Sequence, residues 1–136
     1  MNAMSPKSLI TKAKRALESA KILHEANDID GACNRAYYAM FDAAKAALII
    51  TMPTLDLAAT KTHSGLISAF GQHIIKTKLI SVEFGRAFNR AHDIRQIADY
   101  TGDLIAHQDV TGLLQQATDF VNLIETEFVW KCNQCD

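Results

Sequence analysis

The segment between Asp28 and Met52-Pro53 constrains the fold of this chain more than any other part of the sequence. With 100° between successive residues of a helix, its polar side chains collect on one stripe, while the rest of the circumference is apolar or small. The stripe comprises Asn34, Arg35, Tyr38, Asp42 and Lys45. A helix so apolar must be largely surrounded by other helices. The sequence therefore predicts a central helix over residues 29–50, with its polar stripe at a cleft between neighbours.

Hydrophobic periodicity predicts further helices on both sides of this one. The first begins after Ser5-Pro6, a capping residue followed by proline at the first helical position. After a loop at residues 53–60, Thr60 or Thr62 caps a short third helix. A fourth helix follows the loop at 77–82 and ends at Thr101-Gly102, and Asp109 caps the last one. No strand pattern competes, so we expect an all-α, antiparallel up-and-down four-helix bundle with an additional short helix.

Composition narrows the class of protein. Hydrophobic residues make up 49% of the 136 residues, which suits one domain over 1–136 with a core at 5–130 and a polar tail at 131–136. No apolar run approaches the ~18 residues of a transmembrane helix, so no membrane partner is expected. Three cysteines do not make a disulfide framework, which favours a cytoplasmic protein.

Charge is unevenly distributed although the net charge is -1. Residues 60–98 hold six Lys/Arg against two acidic residues, whereas residues 99–136 hold seven acidic residues against Lys131. The basic third could face nucleic acid or a nucleotide, or the two regions could be complementary solvated faces. The Lys-rich first helix leaves the same pair of alternatives: a solvated face or an RNA contact.

Arg95 is the second unusual residue. The apolar side chains of the fourth helix centre near its direction, so it should point inward, where an unpaired charge is very costly. Asp99, four residues on, can reach it along the same face. Tyr38 or Asp42 from the central helix could complete the set.

Three local motifs resemble the HEPN superfamily (higher eukaryotes and prokaryotes nucleotide-binding domain). They are Asn34-Arg35-Ala36-Tyr37-Tyr38-Ala39-Met40-Phe41 with Ala43-Ala44, Thr62-His63-Ser64-Gly65, and Arg95-Gln96-Ile97-Ala98-Asp99-Tyr100. The resemblance implies a four-helix bundle with a short fifth helix, commonly a homodimer. It also implies a frequent pairing of small bacterial members with a minimal nucleotidyltransferase as a toxin–antitoxin pair.

Ribonuclease members of that superfamily are metal-independent and use an Arg, four to six residues, then a His. Here the matching segment begins at Arg95, but Tyr100 stands where the histidine belongs. A literal match at Arg86 and His92 places the two side chains about 120° apart on a helix, with Arg86 towards solvent. His107, in the loop after the fourth helix, is the remaining candidate partner for Arg95.

Metal and cofactor sites are not indicated. His63 and His73 are ten residues apart and are interpreted as core or boundary histidines, since a helical metal site favours spacings of three or four. No Glu-x-x-His occurs, which argues against a di-iron bundle, and Cys132 with Cys135 supplies only half of a zinc site.

We therefore expect a HEPN-type binding or regulatory module that forms a homodimer and pairs with a nucleotidyltransferase. Its cleft is expected to face a nucleotide or RNA. The predicted cleft residues are Arg35, Tyr38, Asp42, Arg95, Asp99 and Tyr100. Two alternatives stay open: a metal-independent endoribonuclease with a degenerate site, using Arg95 with His107 or His92, and a ligand-free helical adaptor.

Overall fold

The computed structural model describes residues 5–101 and 107–132, apart from the side chains at 57, 59, 100, 101 and 107. Its helices are α1 (Pro6–Glu25), α2 (Ile29–Thr51), α3 (His63–Phe70), α4 (Val82–Gln96) and α5 (His107–Ile124). Within these residues there is no strand. The predicted all-α bundle is confirmed.

Three of the helices continue beyond their regular part as wider, π-helical turns. These turns are Gly71–Ile75 after α3, Ile97–Thr101 after α4 and Glu125–Val129 after α5. The segment predicted as a loop at 53–60 contains a single 3-10 turn, Leu57–Thr60. Asp56 starts that turn because its carboxylate accepts a hydrogen bond from the Ala58 amide at 2.9 Å.

Side-chain caps fix where the helices begin. The Asp28 carboxylate accepts a hydrogen bond from the Gly31 amide at 3.0 Å and starts α2. Thr62, rather than Thr60, caps α3 by accepting from the Gly65 amide at 3.0 Å. The prediction for α5 was wrong by three residues, because a helix capped by Asp109 would begin at residue 110, whereas α5 begins at His107. Asp109 lies inside its first turn, where a carboxylate is favoured by the helix dipole.

The centre of the molecule is α2, which contacts α1, α3, α4 and α5. Its apolar circumference is buried as the sequence predicts, and Asp42 is the one charged residue of α2 that is also buried, at 6% exposed. Large aromatic side chains fill the space around it: Tyr37, Phe70, Phe88 and Phe120 are at most 1% exposed. The rest of the polar stripe is half-buried, so these side chains lie where neighbouring helices meet the surface.

No helix in the described ranges is long and apolar enough to cross a membrane. Cys33 is a buried free thiol in α2. Cys132 is disulfide-bonded.

Candidate functional site

Arg95 lies near the C-terminal end of α4 and points into the molecule, where it is 8% exposed. Its Nε atom is 2.9 Å from Oδ2 of Asp99, one turn further along. The guanidinium carbon lies 5.4 Å from the centre of the Tyr38 ring and 5.7 Å from that of Tyr37. An ion pair and two aromatic rings thus offset the cost of burying this charge.

Helix α2 supplies the other half of the arrangement. The Tyr38 hydroxyl accepts a hydrogen bond from Nη2 of Arg95 at 3.4 Å. The Asn34 amide nitrogen donates to Oδ2 of Asp99 at 3.2 Å. These two residues are one helical turn apart, so a single face of α2 holds both ends of the Arg95–Asp99 pair.

His63, the first residue of α3, joins the same network. Its Nδ1 atom lies 2.9 Å from the Tyr37 hydroxyl and its Nε2 atom 3.4 Å from the Tyr38 hydroxyl. Burial lowers the pKa of His63, and electrostatic repulsion from Arg95 and His92 lowers it further. The ring is therefore neutral at neutral pH, with one nitrogen as donor and the other as acceptor.

Aromatic rings enclose these polar groups. His92 stands on α4, with its ring centre 5.4 Å from that of Tyr37 and 5.9 Å from that of His63. Its Nδ1 atom is buried and has no hydrogen-bond partner within the described structure. We call the set the Arg95 site; it comprises Asn34, Tyr37, Tyr38, His63, His92, Arg95 and Asp99.

Part of the predicted cleft lies elsewhere on α2. Arg35 and Asp42 make no hydrogen bond or ion pair with Arg95 in the described part of the chain. Burial raises the pKa of Asp42, and the charges that oppose this are Lys12, Arg35 and Lys45. The predicted stripe therefore divides: Asn34 and Tyr38 meet α4, while the carboxylate of Asp42 lies within the field of a lysine of α1.

The histidine candidates also divide. Arg86 pairs with Glu83 at 2.9 Å and its side chain is 70% exposed, so the literal Arg86–His92 motif is not a unit, although His92 belongs to the Arg95 site. His107 opens α5 instead of lying in a loop. Its side chain, like that of Tyr100, lies outside what the structure describes.

His63 and Tyr37 are the members that the sequence did not indicate as site residues. His63 was interpreted as a core or boundary histidine, and Tyr37 as part of the apolar circumference of α2. The sequence did contain a signal for His63. Thr62 is a good helix cap, so His63 begins a helix. Its side chain then stands at the end of that helix that faces a neighbouring helix. The Thr-His-Ser-Gly motif contains the same residue.

The arrangement suits an anion better than a metal ion. No group of three His, Cys, Asp or Glu side chains in the ranges described lies close enough together to hold a metal. A guanidinium presents a planar set of donors that matches phosphate or carboxylate oxygens. A neutral histidine beside it can accept or donate a proton.

Fold and site together define an all-α bundle domain with an arginine-centred polar network between three helices. The chain belongs to the HEPN domain family, whose model matches residues 6–127. It is similar to a UPF0332 protein of Gloeobacter violaceus, with 34% identity over 85% of this chain and 89% of that protein.

Two further relatives come from other organisms. A protein of Methanocaldococcus jannaschii named "Putative toxin" is 35% identical over 87% of this chain and 84% of its own length. A UPF0332 protein of Thermotoga maritima is 32% identical over 84% of this chain and 83% of its own length.

Proposed function

We propose that this chain is the HEPN component of a cytoplasmic toxin–antitoxin-like pair, and that its Arg95 site binds a phosphate group of RNA or of a nucleotide. Two relatives from Methanocaldococcus jannaschii named "Putative toxin" support the biological role, since they align with 87% and 84% of this chain. The geometry around Arg95 supports the binding of a phosphate group.

The observation that carries the proposal is the way Arg95 is held. Its guanidinium is fixed by Asp99 and Tyr38, so little side-chain freedom is left to lose when an anion binds. Asp99 is exposed, which brings the edge of the network to the surface. The carboxylate of Asp99 competes with any bound phosphate for the same guanidinium.

Binding of fluorescently labelled RNA and of a labelled nucleotide, followed by anisotropy, tests the site. Arg95→Gln removes a charge-assisted hydrogen bond and should weaken binding about tenfold or more. Arg86→Gln is the matched control, because it removes the same charge from the same helix at a residue that, within the described ranges, pairs with Glu83 and not with the Arg95 site. Equal affinities of the two variants would contradict the proposal.

Asp99→Asn separates a binding role from a structural one. If Arg95 serves only to pair with Asp99, the substitution lowers stability and leaves RNA binding unchanged. If Arg95 binds phosphate, loss of the competing carboxylate tightens binding and steepens its dependence on salt. Circular dichroism and the midpoint of thermal unfolding show whether each variant is folded.

A metal-independent endoribonuclease is the second candidate, and the position of His63 favours it. The contact between its Nε2 atom and the Tyr38 hydroxyl is long, at 3.4 Å, so a substrate hydroxyl could replace Tyr38 there. Neutral His63 would accept the proton of a 2′-hydroxyl, whose oxygen forms a bond to phosphorus. The bond from phosphorus to the 5′-oxygen breaks, that oxygen takes a proton from water, and Arg95 stabilises the phosphate charge.

Cleavage is tested by incubating structured RNA with the protein in EDTA. Metal-independent products that disappear in both Arg95→Gln and His63→Gln, but persist in His73→Gln, would establish the endoribonuclease. Binding without cleavage leaves the regulatory module. Absence of both binding and cleavage in a folded protein leaves the ligand-free adaptor.

The partner proposed for this chain is a minimal nucleotidyltransferase, and the proposed free form is a homodimer. Co-expression with the protein of the neighbouring reading frame, followed by size-exclusion chromatography with light scattering, tests both. The protein expressed by itself should have the mass of two chains. When co-expressed, it should form a stable complex with a nucleotidyltransferase. A monomer that forms no complex would contradict this part of the proposal.

A further inference from the structure

A second basic surface shares no residue with the Arg95 site. It lies where the first turns of α1 meet Trp130, which follows the π-helical turn after α5. One groove of about 220 Å³ is lined by Lys7, Thr11, Lys14, Glu125 and Trp130, among others. A neighbouring groove of about 470 Å³ is lined by Lys7, Ser8, Thr11, Lys12 and Arg15. We call the two together the α1 groove.

The α1 groove carries a positive charge. Residues 5–17 contain four Lys/Arg and no acidic residue. Glu125 is the acidic side chain of the first groove, and Lys14 pairs with it at 2.7 Å. Lys12 and Arg15 form no ion pair in the part of the chain that the structure describes. Within the described ranges two carboxylates act on this face, Glu125 at Lys14 and Asp42 in the field of Lys12, against four cations.

Trp130 gives this surface an aromatic face. Its side chain is 68% exposed, whereas Ile10 and Val129, which line the same groove, are each 3% exposed. The exposed ring offers a surface on which a base can stack, and the cations beside it can neutralise the adjoining phosphates. Stacking of this kind tolerates any base, because every base has a π-face.

We propose that the α1 groove binds a single-stranded polynucleotide, with one base stacked on Trp130 and the adjoining phosphates beside the lysines of α1 and Arg15. The proposal is independent of phosphate binding at Arg95. A membrane surface fits less well, because a helix that lies in a membrane needs an exposed apolar face. The apolar face of α1, including Leu9, Ile10 and Leu17, is buried in the bundle.

Trp130 is the single tryptophan of the chain, so its intrinsic fluorescence reports on this surface alone. Titration with unlabelled single-stranded RNA and DNA oligonucleotides should quench it, and added salt should reverse the quenching. Labelled oligonucleotides allow variants that lack the tryptophan to be measured by anisotropy. Trp130→Ala should weaken binding about five- to a hundredfold, while Trp130→Phe retains a stacking ring and most of the affinity.

Charge is tested with Lys7→Gln and Arg15→Gln combined. For single strands, the slope of log affinity against log salt is about -0.7 for each phosphate neutralised, so the double variant should reduce it by about 1.4. Lys21→Gln and Ile22→Ala are the matched controls, since both residues are exposed and lie near the other end of α1. Neither should change affinity or slope.

Three outcomes would overturn the proposal. The first is no quenching by any oligonucleotide, and the second is quenching that the Lys7/Arg15 double variant leaves unchanged. The third is quenching by vesicles of anionic phospholipid with none by polynucleotide. Oligonucleotides should quench the Trp130 fluorescence of Arg95→Gln as they do that of the wild type. Failure of the Arg95 site and failure of the α1 groove are therefore distinguishable.

Discussion

Tyr37 and Tyr38 are adjacent in the sequence but differ in their surroundings within the Arg95 site. Tyr37 is fully buried, and burial raises the pKa of its hydroxyl above the usual range. Its hydroxyl lies 2.9 Å from Nδ1 of His63. Tyr38 is half-buried and its hydroxyl is shared, at 3.4 Å each, by His63 and Arg95. Tyr37 therefore fixes the histidine, whereas Tyr38 links the histidine to the arginine.

This difference predicts unequal costs for removing the two hydroxyl groups. Tyr37→Phe should lower the free energy of unfolding by about 1–2 kcal/mol, because it leaves the part-buried Nδ1 atom of His63 without its partner. Tyr38→Phe should cost less, since water can reach its half-buried position. Urea unfolding at pH 7.5 measures both values. A larger loss for Tyr38→Phe would mean that the long hydrogen bonds are the stronger ones.

The sequence predicted the parts of the Arg95 site that depend on one helix. Arg95 and Asp99 are four residues apart on one face, so their pairing follows from helical geometry alone. The participation of His63 depends instead on how α3 packs against α2 after a connection of eleven residues, 52–62, which periodicity does not specify. For the same reason the stripe of α2 could be recognised, but not the division that places Arg35 and Asp42 away from Arg95.

At the scale of elements, the contact between α1 and α2 depends on small side chains. Ala13, Ala16 and Ala20 of α1 are fully buried, as are Ala36, Ala43 and Ala47 of α2. Close packing of such helices leaves no room for a larger residue, since protein interiors are as dense as organic crystals. The high alanine content of α2, which helped to predict a central helix, is thus also a packing requirement.

Ala16→Leu should therefore destabilise the protein by about 1–3 kcal/mol through overpacking. Glu18→Leu is the control, because it places the same side chain on an exposed position of the same helix and should change stability by less than about 0.5 kcal/mol. Thermal unfolding of both variants provides the comparison. Equal midpoints would show that α1 can move away from α2 without cost.

At the scale of the whole molecule, the Arg95 site connects α2, α3 and α4, so protonation of its His63 should affect the stability of the entire bundle. The pKa of His63 is lowered in the folded chain by burial, Arg95 and His92. The unfolded chain therefore binds a proton more readily, and folding stability should fall as pH decreases from the ordinary histidine pKa of 6.5 towards the lowered value. Asp42 acts in the opposite direction at lower pH, because burial raises its pKa and protonation then favours the folded state.

Urea unfolding at pH 7.5, 6.5 and 5.5 tests this coupling. The wild type should lose stability over this range, by at most about 1.4 kcal/mol per pH unit from one histidine. His63→Gln should be less stable than the wild type at pH 7.5 but should lose less on acidification, whereas His73→Gln should keep the wild-type slope because His73 lies outside the Arg95 site. If His63→Gln also kept that slope, the protonation of His63 would be uncoupled from folding. The link that its ring makes between Tyr37 and Tyr38 would then break without loss of the bundle, and Arg95 would be held by α2 and α4 alone.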